Sequence, residues 1–214
     1  MGAAIGKQFL LLDERPILVH TLERFEQSPV IDEIIVATQR SSFPIIEEMQ
    51  RKYSLTKLRP PVEGGERRQD SVARALKFVD PSAEIIAVHD AVRPFVRLKE
   101  ISQSIETARY FGASIIAVRA KDTMKLASTD GRVEKTLNRS SLWSVQTPQA
   151  FQRKILFDAY EYAAANDITA TDDSYLAERI GIQPIIVEGS YENIKITTPD
   201  DLLFAELLLK RFVP

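Results

Sequence analysis

The sequence predicts an α/β fold in which a mostly parallel, twisted β-sheet is flanked by helices, as a single domain spanning residues 1–214. Short apolar runs alternate with amphipathic stretches, which is the pattern of βαβ units. The apolar runs are continuous rather than interleaved with polar residues, as expected for strands that are covered on both faces. With 214 residues, 44% of them apolar, the chain can bury one substantial core.

The predicted strands are short apolar runs of four or five residues bounded by polar or turn residues. They are rich in isoleucine and valine, residues that suit a buried pleated surface. The four runs are 33–37, 84–88, 114–118 and 183–187.

The predicted helices are recognised by helical spacing of apolar residues and by signals at their ends. The clearest start is that of the last helix, where Thr198 suits the N-cap, Pro199 the first helical position, and Asp200 and Asp201 the first turn. The predicted helices begin at Pro16, just after Asp70-Ser71, at 150 (through 166) and at Thr198.

Residues 119–137 depart from this alternation because they contain too few apolar residues for a core element. Asp130-Gly131 is a strong hairpin-turn signal. An isolated two-stranded hairpin is marginally stable in water, so this arm is expected to pack on something. Two packing surfaces are possible for the arm: its own domain and a second subunit.

Composition excludes several classes of protein. The net charge of −2 gives no basic field for nucleic acid, and the absence of cysteine rules out disulfides and thiolate metal sites. His20 and His89 are the only histidines, too few for a histidine cluster. No apolar run approaches the roughly 20 residues that span a bilayer, and the start lacks a signal-peptide pattern, so a cytoplasmic protein is expected.

The most informative stretch is the end of the second predicted strand, where EIIAV is followed by His89-Asp90 and then by Arg93. Ligands of open α/β sheets bind outside the carboxyl ends of the strands. A carboxylate suits a hard cation such as Mg²⁺, and the guanidinium fork suits phosphate. A capping aspartate and a surface arginine explain the stretch equally well.

Three further groups are candidates for a site, since no standard glycine-rich phosphate motif is present. Residues 63–71 (EGGERRQDS) form a tight turn that leads into a helix, whose start offers free N–H groups; an ordinary turn with solvated charges is the alternative. Residues 139–149 surround Trp143, which a structural tryptophan also explains. The segments 169–173 and 193–197 are polar, and Lys195 suits either phosphate binding or an edge strand.

Taken together and in order, the segments GKQF, EGGERRQDSV, HDAVRP, KDTMK, NRSSLWSVQTPQAF, TATDD and ENIKITTPDDL closely resemble the 2-C-methyl-D-erythritol 4-phosphate cytidylyltransferase family. The resemblance covers essentially the whole chain. It implies a Rossmann-like sheet of the nucleotidyltransferase type. It also implies a cytidylyl transfer from CTP to methylerythritol phosphate with release of pyrophosphate, assisted by Mg²⁺, in isoprenoid precursor biosynthesis.

The resemblance also implies roles for individual residues. Lys7 and Lys195 match the catalytic lysines, and Asp90 matches the aspartate that holds the metal. The positions that match CTP contacts are Gly64, Gly65, Glu66, Arg68, Ser71 and Asp90. The positions that match contacts to the acceptor phosphate are Arg93, Thr123, Arg139, Thr147, Thr171 and Thr197.

The hairpin arm at 119–137 matches an arm that embraces a partner subunit, so the resemblance implies a homodimer without nucleic-acid or membrane partners. One departure from the family pattern concerns its beginning. Family members start with a buried strand and a glycine-rich A-A-G-x-G-x-R-M loop that carries a catalytic arginine, and here Met1-Gly2 falls where that loop ends. The natural chain is expected to carry both upstream; without them, poor folding or weak catalysis is expected.

Two other functions stay open at this point. The ribitol-5-phosphate cytidylyltransferases are similar in pattern, so another polyol phosphate is the alternative acceptor. A catalytically impaired, nucleotide-binding relative is the second alternative. Measurement of pyrophosphate release with each acceptor distinguishes the two cytidylyltransferases. CTP binding without turnover would indicate the impaired relative.

Overall fold

The computed structural model describes residues 6–212 as a mixed β-sheet flanked by helices. Among these residues, no helix is both long and apolar enough to cross a membrane. The helices are α1 (Ile17–Glu26), α2 (Phe43–Lys52), α3 (Arg68–Leu76), α4 (Leu98–Phe111), α5 (Arg153–Ala165), α6 (Asp173–Arg179) and α7 (Pro199–Phe212). The strands are β1 (Leu11–Leu12), β2 (Arg15–Pro16), β3 (Ala37–Thr38), β4 (Val62–Glu63), β5 (Ile85–Val88), β6 (Ala113–Arg119), β7 (Lys125–Ala127), β8 (Val133–Thr136), β9 (Trp143–Gln152) and β10 (Ile185–Glu188).

The main sheet has four strands in the order β10-β6-β9-β5. Strand β10 runs parallel to β6, whereas β9 is antiparallel to both of its neighbours. The predicted strands at 84–88, 114–118 and 183–187 are therefore confirmed, with ends shifted by one or two residues. Strand β9 was not predicted, and the helix expected from residue 150 begins only at Arg153 because residues 150–152 complete the strand.

Helices cover both faces of this sheet. On one face, Ile101 and Ile105 of α4 pack with Ala150 of β9. On the other face, Phe151 packs with Leu156 of α5 and with α6. Because successive strand residues point to opposite faces, Ala150 and Phe151 connect the two layers of the core and fix β9 between them.

The prediction of a full strand at 33–37 was wrong in extent. Only Ala37–Thr38 is paired as a strand, with β4, and an isolated bridge joins Ile34 to Leu58. In the part of the chain that the structure describes, this small parallel sheet is separate from the four-stranded sheet. A cavity of about 850 Å³, lined by 34–37 on one side and by β5 on the other, lies between them. The predicted upstream strand and glycine-rich loop lie outside the described residues.

The hairpin and the last helix agree with their sequence signals. Strands β7 and β8 form an antiparallel pair, and Gly131 takes a positive φ of 83° in the turn between them. Every residue of both strands is exposed, so within residues 6–212 the arm does not bury itself against its own domain. At the start of α7, Asp201 Oδ2 accepts the Thr198 N–H at 2.8 Å, and the Asp201 N–H donates to Thr198 Oγ1 at 3.2 Å.

Candidate active site

Asp90 lies just beyond the carboxyl end of β5 and is surrounded by three cations. Arg68 Nε is 3.3 Å from its Oδ1, and Arg93 Nε and Lys195 Nζ are each 3.1 Å from its Oδ2. The three cations come from α3, from the turn after β5, and from the segment before α7. The fold therefore brings together four residues that the sequence had suggested in three separate segments.

The charge of Asp90 is secured by these neighbours. Burial alone would raise the pKa of its carboxyl, but the cations, led by Lys195, outweigh burial and lower the pKa from 3.8 to about 2. The side chain is only 10% exposed, so the carboxylate is held in place and ionised at neutral pH. The site thus combines one fixed anion with a surplus of positive charge.

His89 and Thr147 support Asp90 from inside the fold. The Asp90 N–H donates to Thr147 Oγ1 at 3.0 Å, and this hydroxyl also bonds with His89 Nδ1 at 3.0 Å. His89 Nε2 lies 3.1 Å from the carbonyl oxygen of Arg93. Burial lowers the pKa of His89 to about 4, so the imidazole is neutral and donates from Nε2 to that carbonyl. His89 is thus a support of the turn that holds Asp90.

The glycine-rich turn before α3 is packed closely against that helix. A Cβ at Gly65 would overlap with Asp70 Cβ, so a larger residue would displace the turn. Ser71 Oγ accepts the Gly65 N–H at 3.0 Å, and Asp70 Oδ2 accepts the Arg67 N–H at 3.2 Å. Residues 64–71 therefore form a preformed cradle at the start of a helix, beside Asp90.

The start of α3 is joined to the loop that precedes α6. Gln69 donates from Nε2 to the Ile168 carbonyl at 3.0 Å and accepts the Ala170 N–H at 2.9 Å. Arg68 Nη1 lies 2.7 Å from Asp173 Oδ2. These contacts place the segment 169–173, which the sequence had suggested, at the edge of the same site.

A buried asparagine positions Arg93 and the strand-like segment that carries Lys195. Arg93 Nη1 donates to the Asn193 carbonyl at 2.8 Å. The Asn193 side chain, fully buried, donates to Gln146 Oε1 at 3.2 Å and to the Thr147 carbonyl at 2.9 Å. Lys195 itself is 43% exposed, so its ammonium faces both Asp90 and solvent.

Other suggested residues lie farther from this cluster. Lys7 is exposed in a short 3₁₀ turn (Lys7–Phe9) and takes part in none of the ion pairs of residues 6–212. Thr123 is exposed in the hairpin arm, and Arg139 at the base of the arm donates to the Lys121 carbonyl at 2.9 Å. Thr197 bonds with Asp201. Six suggested residues of the described chain are exposed and form no hydrogen bond or ion pair with Asp90 or its three cations: Lys7, Glu66, Thr123, Arg139, Thr171 and Thr197.

Sequence reasoning missed the buried polar residues that hold the site together. Gln149, 1% exposed, accepts the N–H groups of Asp173 and Ser174 at 3.1 and 2.9 Å. The Tyr160 hydroxyl donates to Asp173 Oδ1 at 2.5 Å. Tyr160 has helical spacing among apolar residues, which signals a core position and not a polar role. Gln146 and Gln149 lie in the candidate segment 139–149, but nothing in its sequence pattern predicts that they are buried in a strand.

Known proteins are similar to this chain over nearly its whole length. Residues 1–211 match the family model described as IspD, 2-C-methyl-D-erythritol 4-phosphate cytidylyltransferase. A protein of that name from Syntrophus aciditrophicus (strain SB) is 48% identical over 212 residues, which is 99% of this chain and 91% of the relative. One from Bacillus cereus (strain ATCC 14579) is 46% identical over 210 residues, 98% of this chain and 92% of the relative.

Solved structures give the same result. The 4-diphosphocytidyl-2C-methyl-D-erythritol synthase of Anaerococcus prevotii DSM 20548 is similar with a TM-score of 0.89 and 35% identity, covering 97% of this chain and 93% of that one. The 2-C-methyl-D-erythritol 4-phosphate cytidylyltransferase of Thermus thermophilus has a TM-score of 0.80 and 32% identity, covering 95% of this chain and 93% of that one.

Proposed function

The chain belongs to the 2-C-methyl-D-erythritol 4-phosphate cytidylyltransferase family, and on that premise we propose that it transfers the cytidylyl group of CTP to 2-C-methyl-D-erythritol 4-phosphate. The products are 4-diphosphocytidyl-2-C-methyl-D-erythritol and pyrophosphate. The phosphate of the acceptor attacks the α-phosphorus of CTP, and pyrophosphate leaves from the opposite side.

The observation that carries this proposal is the cluster of Arg68, Arg93 and Lys195 around Asp90. Both substrates are phosphate esters, and negative charge accumulates on the phosphoryl oxygens as the new bond forms. Preorganised cations in a partly buried site stabilise that charge without having to reorganise. A cluster with more cations than carboxylates, at the carboxyl end of a sheet strand, suits this chemistry.

Within the site, we assign CTP to the cradle before α3, where Gly64, Gly65, Glu66 and Ser71 would contact the nucleoside and Arg68 lies beside it. Gly65 lies so close to Asp70 that a side chain at this position would displace the turn. The first turn of α3 offers N–H groups that favour an anionic or hydrogen-bonding ligand.

Lys195 is assigned to the phosphoryl group that is being transferred, because its ammonium is partly exposed and next to Asp90. Lys7 is assigned to the same group. The 3₁₀ turn that carries it is placed by Phe9, which packs on a cluster that Ala91 also contacts. The segment that carries Lys7 and the turn after β5 therefore pack on the same apolar cluster.

The acceptor phosphate is assigned to Arg93, with Thr171 and Thr197 at the rim of the site. Thr147 stabilises the turn that carries Asp90 and Arg93, since its hydroxyl is bonded to the Asp90 N–H and to His89. Thr123 lies in the arm and Arg139 at its base. The exposed apolar side chains of the arm include Met124, Leu126 and Val133. We assign Thr123 and Arg139 to the site of a second subunit in a homodimer that the arm holds together.

Asp90 fits the role of a Mg²⁺ ligand. The residues described here contain no group of three or more acidic or histidine side chains arranged as a complete metal cage. Mg²⁺ commonly uses one or two carboxylates together with substrate phosphates and water, and Asp90 supplies one carboxylate that is ionised at neutral pH. A bound Mg²⁺ would supply charge neutralisation at the triphosphate.

The proposal is tested by following pyrophosphate release from CTP with methylerythritol phosphate, with ribitol 5-phosphate, and with no acceptor. We expect turnover with the first, and loss of turnover on chelation of divalent cations with restoration by Mg²⁺. Turnover with ribitol 5-phosphate but not with methylerythritol phosphate would identify ribitol 5-phosphate as the acceptor. Calorimetric binding of CTP with no product from either acceptor would identify a catalytically impaired relative and overturn the proposal.

A further inference from the structure

Asp173 is a buried carboxylate close to the nucleotide cradle to which the roles above assign no task. It is 1% exposed and is the first residue of α6. Its Oδ2 lies 2.7 Å from Arg68 Nη1, a charge contact that lacks hydrogen-bond geometry, and its Oδ1 accepts the Tyr160 hydroxyl at 2.5 Å. A buried carboxylate is costly unless it is paired, so this placement calls for an explanation.

The carboxylate is held from behind, on the side away from the substrates. Tyr160 lies in α5 and is 8% exposed within an apolar cluster. Burial, followed by the charge of Asp173, raises the pKa of its phenol well above the usual range, so the hydroxyl stays a donor. Gln149 Oε1 accepts the backbone N–H of Asp173 at 3.1 Å, which fixes the start of α6. Asp173 therefore has little freedom to move.

Arg68 lies between this anchored carboxylate and Asp90. Its Nη1 faces Asp173, while its Nε is 3.3 Å from Asp90 Oδ1. Asp90 is already shared with Arg93 and Lys195. Without Asp173, the flexible Arg68 side chain would be free to pair fully with Asp90 and to move away from the cradle.

We propose that Asp173, anchored by Tyr160, is a positioning residue that holds the Arg68 guanidinium at the CTP cradle and away from full pairing with Asp90. The inference rests on the proposed function, since it assigns a task to a residue within the same site. Its consequence is specific: removal of the Asp173 charge weakens CTP binding and leaves acceptor binding unchanged.

The test compares Asp173→Asn with Asp158→Asn in the full chain. Asp173→Asn keeps the shape and removes the charge; we expect the KM for CTP to rise about 10-fold or more, the loss typical of a charged contact, and the KM for the acceptor to change less than twofold. Asp158→Asn also removes one aspartate charge, but from an exposed ion pair with Lys154 in α5, so it should leave both KM values unchanged.

A double-mutant cycle separates positioning from a general structural effect. If Asp173 acts through Arg68, Asp173→Asn should add no further increase in the KM for CTP once Arg68→Ala is present. Tyr160→Phe serves as a second variant should Asp173→Asn unfold, and it should raise the KM for CTP about threefold. The inference would be overturned if the effects of Asp173→Asn and Arg68→Ala on the KM for CTP multiply independently. It would also be overturned by an unchanged KM for CTP in Asp173→Asn or, if that variant unfolds, in Tyr160→Phe. A wild-type protein that neither binds nor uses CTP would instead refute the proposed function.

Discussion

Replacement of Lys195 by alanine is the sharpest test of the charge cluster, because its effects on stability and on catalysis differ in size. The ammonium is 43% exposed and pairs with Asp90 at 3.1 Å. An ion pair with such an exposed partner contributes at most about 1 kcal/mol to the free energy of unfolding. Loss of a group that stabilises transition-state charge typically costs about 10²–10³-fold in kcat. We therefore expect a kcat reduced by about 10²-fold or more in a protein that is still folded.

The assay is pyrophosphate release at saturating CTP and acceptor, with urea unfolding of the same samples. Lys154→Ala is the matched control, because Lys154 also pairs with an aspartate, Asp158, but on the exposed surface of α5. The control should keep its kcat. Lys195→Ala should also raise the pKa of Asp90 from about 2, because Lys195 is the foremost of the groups that lower it. A Lys195→Ala kcat within about threefold of wild type would refute the assignment of this lysine to the phosphoryl group.

Three further predictions follow from individual contacts. Lys7→Ala should lower kcat about 10²-fold with little effect on unfolding, since the side chain is exposed; near-normal turnover would show that Lys7 is not catalytic. Asn193→Ala should lower the free energy of unfolding by roughly 2–4 kcal/mol, because two buried acceptors lose their donor. The control Asn166→Ala removes an exposed hydrogen bond and should cost under about 0.5 kcal/mol. Equal losses of the two variants in urea titrations would contradict the importance of burial. Burial holds the pKa of His89 at about 4 in the folded protein against 6.5 in the unfolded chain. The neutral imidazole therefore contributes its full stabilisation above pH 6.5, and this contribution is lost as the pH falls towards 4. Between pH 7.5 and 5, the free energy of unfolding should drop by roughly 1–2 kcal/mol more in wild type than in His89→Gln.

Several elements were predictable because their signals are local. Strand β5 is a continuous apolar run, and α7 begins with a threonine, a proline and two acids in the expected places. The hairpin turn at Asp130-Gly131 requires a positive φ that glycine adopts readily. In each case the residues that define the element lie within a few positions of one another, so the sequence alone contains the information.

Strand β9 was not predictable in this way. Its central residues Gln146, Thr147 and Gln149 are polar and Pro148 interrupts them, a pattern that favours a loop. They are nevertheless buried, because their side chains bond to Asn193, His89 and the start of α6 rather than to water. The partners lie far away in the sequence, and only the fold shows that these polar groups are satisfied.

The sequence by itself determined the class of fold, the family, and the identity of most of the charged residues at the site, because these follow from residue types in a fixed order. Only the tertiary structure decided how the charges share their partners. It placed Arg68, Arg93 and Lys195 around one carboxylate and Asp173 behind Arg68. The physical reason is that electrostatic energies depend on distance and burial, and both are set by elements that meet only when the chain is folded.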